Sequence, residues 1–114
     1  MKYALLIFDK PGTYDGLSEE EYGAIHGEYM AISDDSRVYG GAQLQPVQTA
    51  TTVRVNGGEP LITDGPFADT KEVFGGFYLL EADNLDAALA VAERIPAARL
   101  GGSVEVRPIV EQPS

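Results

Sequence analysis

A lone histidine and an aspartate that closes an apolar run are the residues with the widest chemical reach in this 114-residue chain. Asp9 follows Ala4-Leu5-Leu6-Ile7-Phe8, which is apolar at every position and is predicted as a strand buried on both faces. Its carboxylate should therefore emerge at the end of a sheet. His26 lies in a segment of helical period, one turn after Tyr22 and three residues before Tyr29. A helix returning from a strand's end sets its first turns near that end, so Asp9 and His26 are expected within reach of each other. Such a pair would fix the imidazole tautomer and raise its pKa, which suits proton transfer near neutral pH. A lone histidine beside a buried helical stripe is also commonly a hydrogen-bonded core residue. The pattern alone leaves both readings open.

The second concentration of chemistry runs from Thr63 to Phe77. Asp64-Gly65-Pro66 is turn chemistry, with Asp64 a turn-former and amide cap before it is a candidate acid. Gly75-Gly76 at the mouth of a strand predicts a bulge or a close backbone approach. Lys71 and Arg54 are the cations best placed to meet an anionic ligand, if they are not simply solvated. Tyr29, Phe67, Phe74 and Tyr78 are candidates for an aromatic pocket or for core packing. Asp64, Phe67, Arg54, Lys71 and Tyr29 thus form the candidate ligand-binding set.

Much else is excluded. With no cysteine there is no disulfide, thiolate nucleophile or thiolate zinc site, and one histidine cannot build a multi-histidine metal cluster. The glycine pairs lack the spacing and following helix of a phosphate loop. No metal and no cofactor is expected. A net charge of −10 argues against nucleic acid as a partner. No segment is apolar for long enough to span a bilayer, and Met1-Lys2-Tyr3 reads as the start of a strand, so a cytoplasmic protein is expected.

The elements that must position these residues follow in order. Ser18 and Glu21 form a capping box, Leu17 and Tyr22 can staple across it, and Ile25, Tyr29 and Ile32 continue the helical stripe. Asp34 and Asp35 oppose the dipole at the helix end, which predicts fraying. Strands are predicted from Val38 to Val47 and from Ala50 to Val55. Asn56-Gly57-Gly58 turns the chain into a returning arm, Glu59 to Thr63. Phe77 to Leu80 is a second strand apolar on both faces. A helix follows, capped by Asn84 or Asp83, with the stripe Leu85, Ala88, Leu89, Ala92 and Ile95 and a stop at Pro96. Val104 to Ile109 alternates like an edge strand. Residues 1–110 read as one domain, and 111–114 as a loose tail. The order is βαββαβ with an inserted hairpin arm, a ferredoxin-like α+β arrangement. Two helices cover only one face of its sheet, yet two strands are apolar on both faces. A second copy packed sheet on sheet is the economical cover.

The stretch Asp64-Gly65-Pro66-Phe67, with Thr70-Lys71-Glu72-Val73 and Gly75-Gly76-Phe77 behind it, resembles the DGPF-domain proteins of the YCII-related family. Leu44-Gln45-Pro46, Ala50 to Val55, Pro96 to Arg99 and Val104 to Pro108 extend the resemblance over nearly the whole chain. It implies a ferredoxin-like fold dimerising as an α+β barrel. It also implies an acid at the end of the first strand paired with a histidine in the first helix, the places held here by Asp9 and His26. A link to extracytoplasmic-function sigma factors is implied as well. Three functions are therefore in view. A homodimeric small-molecule-binding or sigma-factor-associated accessory protein is ranked first. An acid–base lyase or isomerase with His26 as base and Asp9 as orienter comes next, and a purely structural interaction module last.

Overall fold

The computed structural model describes residues 1–65 and 71–111. Its main sheet has four antiparallel strands: β1 (Lys2–Asp9), β2 (Val38–Gln43), β5 (Val73–Glu81) and β6 (Ser103–Pro108). Their spatial order is β2-β5-β1-β6, and β3 (Thr51–Asn56) and β4 (Glu59–Asp64) form a separate two-stranded arm. Helices α1 (Glu19–Ser33) and α2 (Leu85–Ala92) complete the expected ferredoxin-like βαββαβ sandwich with an inserted hairpin. No described helix is long and apolar enough to cross a membrane.

One face of the sheet makes the core. Tyr3, Leu5 and Ile7 of β1 lie opposite Leu80, Tyr78 and Gly76 of β5, and all are buried. Ile32 of α1 and Ala88, Val91 and Ala92 of α2, with Ile95 beyond it, close over them. Each fully buried Leu or Ile there contributes about 1.5–3 kcal/mol. The opposite face pairs Ala4 with Leu79, Leu6 with Phe77 and Phe8 with Phe74. Phe74 is exposed and the other five are only partly buried, and the Phe8 and Phe74 rings lie 5.5 Å apart. The two-faced apolar pattern of β1 and β5 is thus half used within the chain.

Two local expectations needed correction. The stripe of α2 is Ala88, Val91, Ala92 and Ile95, whereas Leu85 and Leu89 are exposed. Small residues at 88 and 92 let the short helix sit close to the sheet, which turns the leucines outward. The end of α1 is fixed rather than frayed. Asp34 caps it, and Asp35 accepts hydrogen bonds from the Arg37 amide at 3.0 Å and its guanidinium at 3.0 and 2.8 Å. Those contacts, with Arg94 at 3.7 Å, hold the Asp35 carboxyl below the usual carboxylate range and set the turn into β2. The capping box at Ser18 and Glu21 forms as the sequence requires. Strand β2 is shorter than expected and slips register between Val38 and Gly40.

Candidate functional site

The end of β1 is where polar chemistry gathers. The ladder between β1 and β5 pairs Ile7 with Gly76 and then Phe8 with Phe74, so Gly75 is an extra, unpaired residue. Such a bulge re-aims the neighbouring side chain. A Cβ on Gly75 would collide with Asp9 Oδ2, so the bare glycine is what lets the carboxyl lie across β5. Gly76 is closed in as well, since its Cβ would stand 2.6 Å from the Ala42 carbonyl oxygen. The expected bulge and close approach are both present, one at each glycine.

Asp9 is held by a tyrosine. The Tyr14 hydroxyl donates to Asp9 Oδ1 at 3.0 Å, from a loop whose turns are closed by Thr13 N to Lys10 O at 3.2 Å and Asp15 N to Gly12 O at 3.1 Å. The Tyr29 hydroxyl of α1 stands 3.5 Å from that of Tyr14. While the single Tyr14 proton is on Asp9, Tyr29 is the donor in this contact, and the roles exchange once Asp9 itself carries a proton. The Tyr78 hydroxyl donates to the Tyr29 carbonyl at 2.9 Å, anchoring the helix turn above β5. The result is a half-buried chain of three groups, Asp9, Tyr14 and Tyr29.

Burial decides the electrostatics. Desolvation pushes the Asp9 carboxyl above its ordinary value, against the smaller opposing pull of the Tyr14 hydrogen bond. Burial, with Tyr29 and Asp9 adding to it, drives the Tyr14 phenol far above the usual tyrosine range. Tyr29 is raised too, chiefly by desolvation. The phenols therefore stay protonated donors, and the carboxyl is brought nearer the range where it can exchange a proton.

His26 is placed elsewhere. It is exposed, and no hydrogen bond or ion pair joins it to Asp9 among the described residues. It follows Ile25 by one residue, about 100° round the helix, while Tyr29 takes the inward position. With Leu17, Ser18, Glu19, Tyr22, Gly23 and Gln43 it lines an open cleft of about 520 Å³ at the start of α1. The two places adjoin through Tyr14, whose ring meets that of Tyr22 edge-on at 6.3 Å. The histidine is neither a core residue nor a direct partner of Asp9, and both sequence readings of it are corrected.

The remaining candidates are scattered. Asp64 ends β4 and Arg54 lies midway along β3, while Lys71 stands two residues before Val73, the ladder partner of Asp9, and all three are exposed. Phe67 lies outside the described residues. Tyr78 joins the core and Phe74 the open face of the sheet. Among the described residues no group of three or more acidic or imidazole side chains could hold a metal ion. Tyr14 was missed by sequence reasoning. The available signal was a phenol five residues after Asp9 in a short glycine-bounded loop, an amphipathic group that needs a hydrogen-bond partner once its ring is buried.

The family model for the YCII-related domain matches residues 1–112. The chain belongs to the YCII-related family. An uncharacterised protein of Rhizobium meliloti is 35% identical over 96% of this chain and 92% of its own length. Among solved structures, this YCII-related chain is similar to the 5-chloro-2-hydroxyhydroquinone dehydrochlorinase TftG of Burkholderia phenoliruptrix, in complex with 2,5-dihydroxybenzoquinone. The TM-score is 0.54 at 18% identity, covering 98% of this chain and 96% of that one, which is a likeness of fold.

Proposed function

We propose that this YCII-related chain is a homodimeric small-molecule-binding protein whose ligand engages the Asp9–Tyr14–Tyr29 chain from the adjoining cleft. The observation that carries this reading is the half-buried Asp9, kept across a bare Gly75 and held by a phenol. Partial desolvation of a carboxyl is unfavourable for the fold alone, and a ligand hydroxyl offers it a second donor. The ligand class that fits is a small hydroxylated compound, aromatic rather than aliphatic, because Tyr22 lines the cleft and its ring meets that of Tyr14. In the accessory form of this reading, occupancy rather than turnover is the output. The uncovered sheet face supports the dimer.

One observation favours a second reading, acid–base catalysis of the lyase or isomerase type. The raised Asp9 carboxyl sits beside a phenol that can either donate to it or accept from it. When Asp9 is ionised, Tyr14 donates to it. When Asp9 is protonated, Tyr14 can accept from it and turn its own hydroxyl hydrogen to the Tyr29 oxygen, both phenols staying protonated. The similarly folded dehydrochlorinase bound to a dihydroxybenzoquinone makes hydroxylated rings the first substrates to try. His26, in the cleft rather than on Asp9, would contact the ligand's far side.

The test is a binding panel of hydroquinones, catechols and 2,5-dihydroxybenzoquinone, read by calorimetry on wild type, Asp9→Asn and Tyr14→Phe. Binding weakened at least tenfold by either substitution supports the site. A panel that binds all three proteins equally, or none of them, refutes it. Chloride release from a chlorinated hydroquinone, lost in Asp9→Asn, separates catalysis from binding.

A further inference from the structure

Among the described residues, one side of the β3–β4 arm is left uncovered. Cross-strand pairs Val53–Ile62 and Val55–Pro60 put four apolar residues on one side, while Thr52, Arg54, Asn56, Glu59, Leu61 and Thr63 take the other. Val53, Val55 and Ile62 are 60, 69 and 65% exposed, more than any large apolar side chain of either helix. A two-stranded hairpin is marginal in water without something packed on it. Yet the arm forms its own sheet, in a molecule 47 × 44 Å across and only 19 Å thick.

Resting on the dimer reading above, we infer that the apolar side of this arm closes over a second copy of the chain. The base of the arm closes on itself, and the segment leading into it is tied to β5. Leu44 N bonds Gly75 O at 2.9 Å, Gly65 N bonds Ala50 O at 2.7 Å, and the Thr52 hydroxyl bonds Gly65 O at 2.8 Å. Phe74, next to Gly75, brings the apolar surface of the open face up to that tie through its contact with Phe8. Area points the same way. Four strands about 4.8 Å apart with ~3.3 Å per residue present roughly 500 Å² in plan. Standard stable interfaces bury about 600–1,000 Å² per partner, so the face alone falls short, and the roughly 200 Å² of the arm brings the total to about 700 Å², within that range. The apolar side of the arm carries one ionisable group, Asp64 at its base, so covering Val53, Val55, Pro60 and Ile62 desolvates no charge farther out.

The experiment uses the full chain. Sedimentation equilibrium of wild type, Val55→Asp/Ile62→Asp and the opposite-side control Thr63→Asp should give a tight dimer, a dimer weakened at least 100-fold, and a tight dimer. Circular dichroism checks that the monomer fold persists. If the double variant dimerises as tightly as wild type, the arm lies outside the interface and the inference fails while the dimer stands. A monomeric wild type sinks both. If the double variant does not fold, the cysteine-free chain admits Val55→Cys carrying a benzophenone label. Covalent dimers on irradiation support the inference, and solely intramolecular products overturn it.

Discussion

Replacing Gly75 with alanine tests whether the bulge exists to seat Asp9. The added methyl would overlap Asp9 Oδ2, so either the carboxyl or the β5 backbone must give way. Overpacking of this kind costs about 1–3 kcal/mol. For a chain of this size each kcal/mol lowers Tm by about 3–6 °C. In an Asp9→Ala background the obstructing atoms are gone, and the same substitution should cost less than about 0.5 kcal/mol. The coupling in the double-mutant cycle is therefore on the order of 1–2 kcal/mol. Gly76→Ala is the control, because its methyl meets the Ala42 carbonyl at 2.6 Å and Asp9→Ala cannot relieve that. Urea denaturation of the single and double variants measures both cycles. Equal costs of Gly75→Ala with and without Asp9 would refute the seating argument.

Three further predictions follow from the same geometry. The Asp9 carboxyl is raised in the folded chain, so the native state holds its proton longer than the unfolded state and stability falls as pH climbs from about 3.9 through the folded value. The Tm gain of Asp9→Asn over wild type should therefore be small near pH 3 and larger near pH 7, and a constant difference would contradict the shift. Gly65 has φ of +100° between β4 and the following segment, so Gly65→Ala should lower stability by about 1 kcal/mol or more by denaturant titration. An unchanged midpoint would show an unstrained turn. Ser18→Ala removes the cap of α1 and should cost about 1 kcal/mol, and a cost near zero would mean the first turn is held by packing alone.

The fold was legible because its signals are local and agree with one another. The capping box at Ser18, the turn at Asn56-Gly57-Gly58, the stop at Pro96 and the unbroken apolar runs of β1 and β5 each select one backbone state. The glycine pair forecast a bulge or a close approach, and the structure has the first at Gly75 and the second at Gly76. The site was legible only in part. Asp9 was located correctly at the end of β1. His26 was misplaced because helical spacing fixes phase only to about one residue, and one residue turns a side chain by about 100°. Tyr14 escaped because its position depends on how a loop folds back, which no periodicity encodes. The α2 stripe failed for a related reason. Leucine is more apolar than alanine, yet the close approach to the sheet selected the smaller residues.

The central claim is that Asp9, Tyr14 and Tyr29 form the polar centre of a small-molecule site. Chemical-shift mapping tests it most directly, with the Asp9 side-chain carboxyl and backbone amides followed while 2,5-dihydroxybenzoquinone and simple hydroquinones are titrated in. The account predicts saturable shifts centred on Asp9, Tyr14, Tyr29 and Gly75, extending to Tyr22 and His26 across the cleft and vanishing in Asp9→Asn. Shifts centred elsewhere, or undiminished in Asp9→Asn, would contradict it.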